Sequence, residues 1–181
     1  MMNAKKIILS LLLLPFFLHA QDTKEIEQKK KEALIYYNIA MSSDKMGNYD
    51  RAVEYFLKAY ELDSITYADA YSRIGNSFCN ALKYREALPY FQKHLEKFPH
   101  TTESQMNMGN TYYVLEEYEK AITFYEKTLA IDSTHRTACR NMGNTYYNLK
   151  NNEKYLKYFK KAARLGDSEI QNWLRANDET W

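Results

Sequence analysis

From residue 33 onward the apolar and small side chains recur three and four positions apart, the spacing of helices that each bury one face. Tyr36, Ile39 and Ala40 form the first stripe, and Ala52, Phe56 and Ala59 form the second after a turn at Gly47-Asn48-Tyr49. The pairing of stripes then repeats. Asn-Met-Gly-Asn-Thr-Tyr-Tyr begins at Asn107 and returns letter for letter at Asn141, 34 residues later, and a looser copy, Arg-Ile-Gly-Asn-Ser-Phe, begins at Arg73, 34 residues before the first. Gly75, Gly109 and Gly143 therefore mark the first helix of successive units, and Ala52, Ala87, Ala121 and Tyr155, each followed four residues on by Phe56, Phe91, Tyr125 or Phe159, mark the second. A fixed period of this size predicts a stacked array of helix hairpins, because one hairpin cannot hide its apolar side without a neighbour.

These residues resemble the tetratricopeptide repeat family, whose pattern runs from an aromatic through Leu-Gly and Tyr in a first helix to Ala, Phe, Ala and Pro in a second. Tyr71, Ile74, Gly75, Phe78, Ala87, Phe91 and Pro99 are the fullest copy. The resemblance implies an all-α, right-handed α-α superhelix, a solenoid of about four hairpins. The expected boundaries are 33–67, 68–101, 102–135 and 136–169, with residues 170–181 as a capping helix and tail. One additional residue is expected in the Ser64-Ile65-Thr66 link, since Ala52 and Ala87 are 35 apart.

Departures from the pattern carry their own expectations. Ala40 stands where later copies have glycine. Tyr155 replaces a small residue at the expected helix crossing, opposite Gly143, so local splaying is predicted there. Pro89 is expected to bend its helix or shift its start. Gly166 suits the left-handed residue that ends a helix, and Asp167 or Ser168 would cap a short helix bearing Ile170, Trp173 and Leu174. Trp181 has no assignment from the pattern.

Ahead of the repeats, residues 1–20 have the form of an export signal: Lys5 and Lys6, an apolar stretch over 7–18, and Leu18-His19-Ala20 ending on a small residue. The apolar stretch falls short of the roughly 20 residues that a spanning helix requires. The mature chain is thus expected to begin near Gln21, exported to the periplasm or secreted, without stable membrane insertion. Residues 21–32 are a charged lead-in. The chain carries 25 Lys and Arg against 23 Asp and Glu, and the leader holds two of the former and none of the latter, so the mature protein is formally neutral. A nucleic-acid partner would require a retained basic face, and none is expected.

Chemistry is sparse. Of the five glycines, Gly47 serves a turn, three serve the helix crossings and Gly166 a helix end, which leaves none for a phosphate-cradling loop. His94 and His100 with Glu96 lack the spacing of a metal site on one helix face, and His94 is expected to pack structurally. Cys79 and Cys139 fall two repeats apart, beyond the roughly 7 Å between Cα atoms that a disulfide tolerates, and are expected as free, half-buried thiols. No catalytic residue, metal or cofactor is expected.

In the tetratricopeptide family the first helices line a concave groove for peptide segments of partner proteins. The resemblance carries that role to Tyr37, Asn38 and Met41, then to Ser72, Arg73, Asn76 and Asn80. In the third repeat it falls on Met106, Asn107, Asn110 and Tyr113, and in the fourth on Arg140, Asn141, Asn144 and Tyr147. The asparagines match the family pattern itself, so they either hold neighbouring repeats together or form an amide ladder for a peptide backbone. Arg73, Arg140, Met106, Tyr113 and Tyr147 are the favoured ligand contacts. Relatives that clamp a C-terminal carboxylate use lysines whose places here hold Tyr37 and Asp69. The expected function is capture of a partner protein or extended peptide in the groove; the alternative is an assembly subunit acting through self-association or the convex side.

Overall fold

The structure, a computed structural model, describes residues 22–181 in full and the backbone of the first helix from Ala4. The expected export signal, residues 1–20, lies outside the fully described residues. Among the described residues there are nine α-helices and no strand. In order they are α1 (Ala4–Lys45), α2 (Tyr49–Leu62), α3 (Ala70–Asn80), α4 (Tyr84–Lys97), α5 (Thr102–Val114), α6 (Tyr118–Ile131), α7 (Arg136–Asn148), α8 (Asn152–Arg164) and α9 (Ser168–Ala176). Each odd helix and its successor form one hairpin of the expected solenoid, and α9 is the expected half-repeat. The chain divides into two compact units, Met1–Ala70 and Tyr71–Trp181.

The first unit is the α1–α2 hairpin and the link that follows. Ala33, Ala40, Ala52 and Ala59 are fully buried with Phe56 between the helices. Tyr37 stacks on Tyr67, ring centres 4.6 Å apart, and meets Phe56 edge-on at 5.5 Å, while its hydroxyl donates to Asp69 at 3.4 Å. The link over residues 63–69 is longer than those over 98–101 and 132–135, which places the additional residue where the spacing put it.

In the second unit each hairpin closes on a glycine. A Cβ built on Gly75 would lie 2.5–2.8 Å from ring atoms of Phe91, and one on Gly109 would lie 2.5 Å from Tyr125. Gly143 meets the ring of Phe159 in the same way. The atoms nearest each of these glycines are those of the aromatic ring four residues beyond the small position, so the glycines make room for the ring. The predicted splaying at Tyr155 is accordingly absent, since Gly143 sits as close to α8 as its counterparts do to α4 and α6. Tyr155 instead turns its half-buried ring edge-on to Tyr147, Phe159 and Trp173 at 5.4, 5.7 and 6.0 Å.

A second aromatic pair stacks near the turn of each of these hairpins: Phe78 on Tyr90, Tyr112 on Phe124 and Tyr146 on Tyr158, at 5.3, 5.5 and 5.7 Å. Lys93, Lys127 and Lys157 lie over the second ring of each pair, covering apolar surface with their stems. Pro89 lies inside α4, yet α4 begins at the repeat position where α6 and α8 begin, so the start is not shifted.

All four hairpin turns use one hydrogen-bond pattern. The amides of Asn48, Lys83, Glu117 and Asn151 donate to the carbonyls of Ser43, Phe78, Tyr112 and Tyr146 at 2.8–2.9 Å, with a second bond one residue inside. This helix end requires a left-handed residue. Gly47 supplies it at φ 77°, but the later turns place Leu82, Glu116 and Lys150 there at φ 60°, 59° and 56°. Side-chain residues in that region cost about 1–2 kcal/mol. Gly166 repeats the motif at the end of α8, and Asp167 caps α9 by accepting from the Ile170 amide at 3.2 Å. Trp181 finds its place here: it packs on the cluster of Phe159, Ile170 and Leu174, with the Arg175 guanidinium over its ring at 5.2 Å.

Cys79 is half-buried and Cys139 fully buried, both as free thiols. Burial pushes both above the usual thiol range, against a smaller opposing effect of the Thr111 hydroxyl on Cys79. His94 is buried and its Nδ1 is hydrogen-bonded to the Ser104 hydroxyl at 2.5 Å, joining α4 to the start of α5.

Gly109→Ala should destabilise the protein by about 1–3 kcal/mol in urea titrations, because the added methyl would lie 2.5 Å from the Tyr125 ring and force it to shift, and a Tyr125→Leu change in the same chain should recover part of the loss. Lys150→Gly should raise stability by up to about 1 kcal/mol, as left-handed strain is relieved and only partly offset by the flexibility glycine adds to the unfolded chain. Raised pKa values leave little thiolate at neutral pH, so Cys79 and Cys139 should alkylate slowly in the native protein and rapidly once urea exposes them.

Candidate functional site

The first helices of the second unit, α3, α5 and α7, stand side by side, and their shared face carries most of the groove residues expected from the repeat register. Register alone puts them there: residues 34 apart occupy the same place on successive helices. The asparagines turn out to be joined across the junctions. Asn107 Nδ2 donates to Asn76 Oδ1 at 3.0 Å, and one repeat later Asn141 Nδ2 donates to Asn110 Oδ1 at 2.8 Å. The Tyr125 hydroxyl donates to the same Asn110 oxygen at 2.9 Å. Burial holds the Tyr125 phenol far above its ordinary pKa, so it remains a donor at any physiological pH.

Two pockets open along this face, one at each junction. The larger, about 210 Å³, is lined by Asn110, Tyr113, Val114, Tyr125, Asn141 and Asn144. The smaller, about 140 Å³, lies between Asn76 and Phe91 on one side and Asn107, Thr111 and Val114 on the other. No carboxylate, ammonium or guanidinium lines either one. Amide groups, phenols and an aliphatic side chain can hydrogen-bond a peptide backbone and cover a modest apolar side chain, and the one thiol lining the smaller pocket, Cys79, is pushed by burial toward its protonated form. No group of three or more His, Cys, Asp or Glu able to hold a metal occurs among the described residues.

Several expected contacts are placed otherwise. Met106 is 7% exposed and belongs to the core with Ala121, Tyr125, Ala138 and Met142, so it faces the protein rather than a ligand. Arg140 is held by Glu169 at 2.8 Å and by buried Asp167 at 3.5 Å, which ties α7 to the cap α9. Tyr37 is occupied within its own unit, and Ser72 is buried with its hydroxyl donating to Glu103 at 2.8 Å. Asn38 is exposed on α1, and Arg73 is half-buried on α3.

The expected residues that line the pockets are Asn76, Asn107, Asn110, Tyr113, Asn141 and Asn144. Tyr113 accepts a hydrogen bond from Asn148 Nδ2 at 2.9 Å, and Tyr147 is 57% exposed. Val114, 49% exposed and shared by both pockets, is not among the residues expected from the sequence. Its signal is present in the repeat alignment, where the same position holds the polar Asn80 and Asn148.

Models of the tetratricopeptide repeat match residues 33–66, 102–135 and 137–165, together more than half of the chain. Residues 68–101 lie between these stretches, and their hairpin rests on the structure. No curated protein matches the sequence. Among solved structures the fold is similar to a crystal structure of MamA, at 22% identity and TM-score 0.69 over 82% of this chain and 86% of that one. MamA 41-end from Desulfovibrio magneticus RS-1 is similar at 20% identity and TM-score 0.68 over 88% and 94%. Pseudomonas aeruginosa pilF is similar at 20% identity and TM-score 0.67 over 83% and 71%. At such identities the likeness is one of fold. The family models and the hairpins together are decisive: this chain belongs to the tetratricopeptide repeat family.

Proposed function

We propose that this protein is a non-catalytic docking module that binds an extended peptide segment of a partner protein along the α3, α5 and α7 face, and that it works in the cell envelope after export. The observation that carries this reading is the pair of uncharged pockets at the α3–α5 and α5–α7 junctions, both lined by asparagine, tyrosine and Val114. A strand-like segment presents a side chain and a backbone amide at regular intervals, which matches pockets and amides that recur with the repeat. Asn110 spends its carbonyl oxygen on Tyr125 and Asn141, and its amide nitrogen takes part in neither bond. Asn144 ends the ladder, because the position that would answer it in a fifth repeat is Arg175.

The absence of charge in the pockets favours a neutral, modestly apolar segment over an acidic tail. Export is supported by the leader's charged front, apolar body and Leu18-His19-Ala20 ending. No helix among the described residues is long and apolar enough to cross a membrane.

Val114→Glu would put a carboxylate into both pockets while altering a side chain that is already half exposed. Capture of the partner from a native envelope extract should then fall by at least about tenfold, the usual effect of placing an unpaired charge at an interface centre. Helix content and melting temperature should stay at the parent values. Unchanged capture by Val114→Glu and by Tyr147→Ser would remove the pocket face as the binding surface. Amino-terminal sequencing of the protein from its native envelope should begin at Gln21, and an intact Met1 there would overturn export with cleavage.

A further inference from the structure

Charge is unevenly shared along the chain. Residues 136–165 hold eight Lys and Arg against one acid, Glu153, so the formal neutrality of the mature chain hides a strongly basic fourth hairpin. Five of the eight sit on α8. Lys154, Lys157, Lys161 and Arg164 follow one another at three- and four-residue steps, which puts them within about 80° of one another around the helix, on the side away from the buried Phe159, Ala162 and Ala163. The repeat does not require them. At the same places α4 holds Glu86, Pro89, Lys93 and Glu96, and α6 holds Lys120, Thr123, Lys127 and Ala130. Nor are the charges answered from within. Among the described residues the ion pairs of this hairpin join Arg140 to Asp167 and Glu169, and Lys160 to Glu179; none reaches the stripe. Asp132 is close enough to Lys161 to feel its charge, but its carboxylate accepts from Thr134 instead. Like charges three and four residues apart destabilise a helix, a cost that an anionic partner removes.

We propose that the outer face of α8 binds the surface of a membrane rich in anionic phospholipid, through the headgroup phosphates and without insertion. Three features select that partner. The stripe runs along one straight helix on the side opposite its packed face, so a flat array of negative charge meets all four side chains at once. Among the described residues of α8 no large hydrophobic side chain is exposed, whereas protein interfaces centre on apolar and aromatic anchors and are poor in lysine. The nearby rings of Tyr146 and Tyr158 are stacked on each other, with Lys154 over the first at 5.0 Å and Lys157 over the second at 5.8 Å. That arrangement withdraws them from the base stacking by which proteins hold single-stranded nucleic acid.

The surface is separate from the α3, α5 and α7 face, so the failure of either reading would leave the other standing. In co-sedimentation at low salt the full chain should bind phosphatidylglycerol vesicles at least about tenfold more tightly than phosphatidylcholine vesicles, and the difference should vanish at about 0.5 M NaCl. Lys154→Gln, Lys157→Gln and Lys161→Gln combined should weaken binding to the anionic vesicles at least about thirtyfold. The melting temperature of that variant should be no lower than the parent's, since mutual repulsion is relieved. Lys30→Gln, Lys45→Gln and Lys93→Gln combined remove the same charge from elsewhere and should change binding by less than about threefold, because those side chains lie beyond the screening length from the bound surface. Any contribution of the leader is the same in all three chains. A parent that binds both kinds of vesicle equally overturns the proposal, as does an α8 variant that binds like the parent or a control variant weakened as much as it. Tighter binding of the parent to a DNA duplex than to the anionic vesicles at the same salt would assign the stripe to nucleic acid and overturn it too.

Discussion

The contact between a glycine of each first helix and an aromatic ring of the second governs the geometry of the second unit. Gly75 against Phe91, Gly109 against Tyr125 and Gly143 against Phe159 bring backbone and ring to a distance that no Cβ would allow. Two antiparallel helices are thereby held at one separation in every hairpin, and the ring fills the space between them. Packing at that density leaves little freedom for the next hairpin, so the position of α5 beside α3, and of α7 beside α5, follows from the same contact repeated. The first hairpin reaches a similar closure with Ala40 in place of glycine, and its buried Phe56 is accompanied by Tyr37 and Tyr67.

Side-chain hydrogen bonds then lock the junctions. The Asn107–Asn76 and Asn141–Asn110 bonds run between neighbouring first helices, the Tyr125 hydroxyl joins a second helix to the ladder, and His94 with Ser104 ties one hairpin to the next. Such bonds add little net stability each. Their value lies in register: an amide that must meet its partner admits one sliding position of helix on helix. The same residues form the walls of the pockets, so the surface available to a ligand is rigid because it is also the joint between repeats.

Much of this is legible in the residues. The 34-residue period, the turns, the left-handed place of Gly166, the cap at Asp167 and the longer link before α3 all follow from local chemistry, which a repeated sequence states several times over. The site is less so. Periodicity puts Met106 and Arg140 on first helices, but that Met106 is buried among Tyr125 and Met142 and that Arg140 pairs with the cap depends on neighbours the period does not name. Val114 is exposed where a hydrophobic side chain would ordinarily be assigned to the core, and only its comparison with Asn80 and Asn148 distinguishes it.

The sequence by itself determined that the chain is an array of helix hairpins, because small and aromatic residues at fixed separations admit one way of burying an apolar stripe. Tertiary structure alone decided that the glycines face rings four residues past the small position, that Tyr155 is accommodated without splaying, and that the asparagines bond one another. Those outcomes depend on which side chains of different helices come within contact distance, and a one-dimensional period carries no information about the angle at which two helices meet.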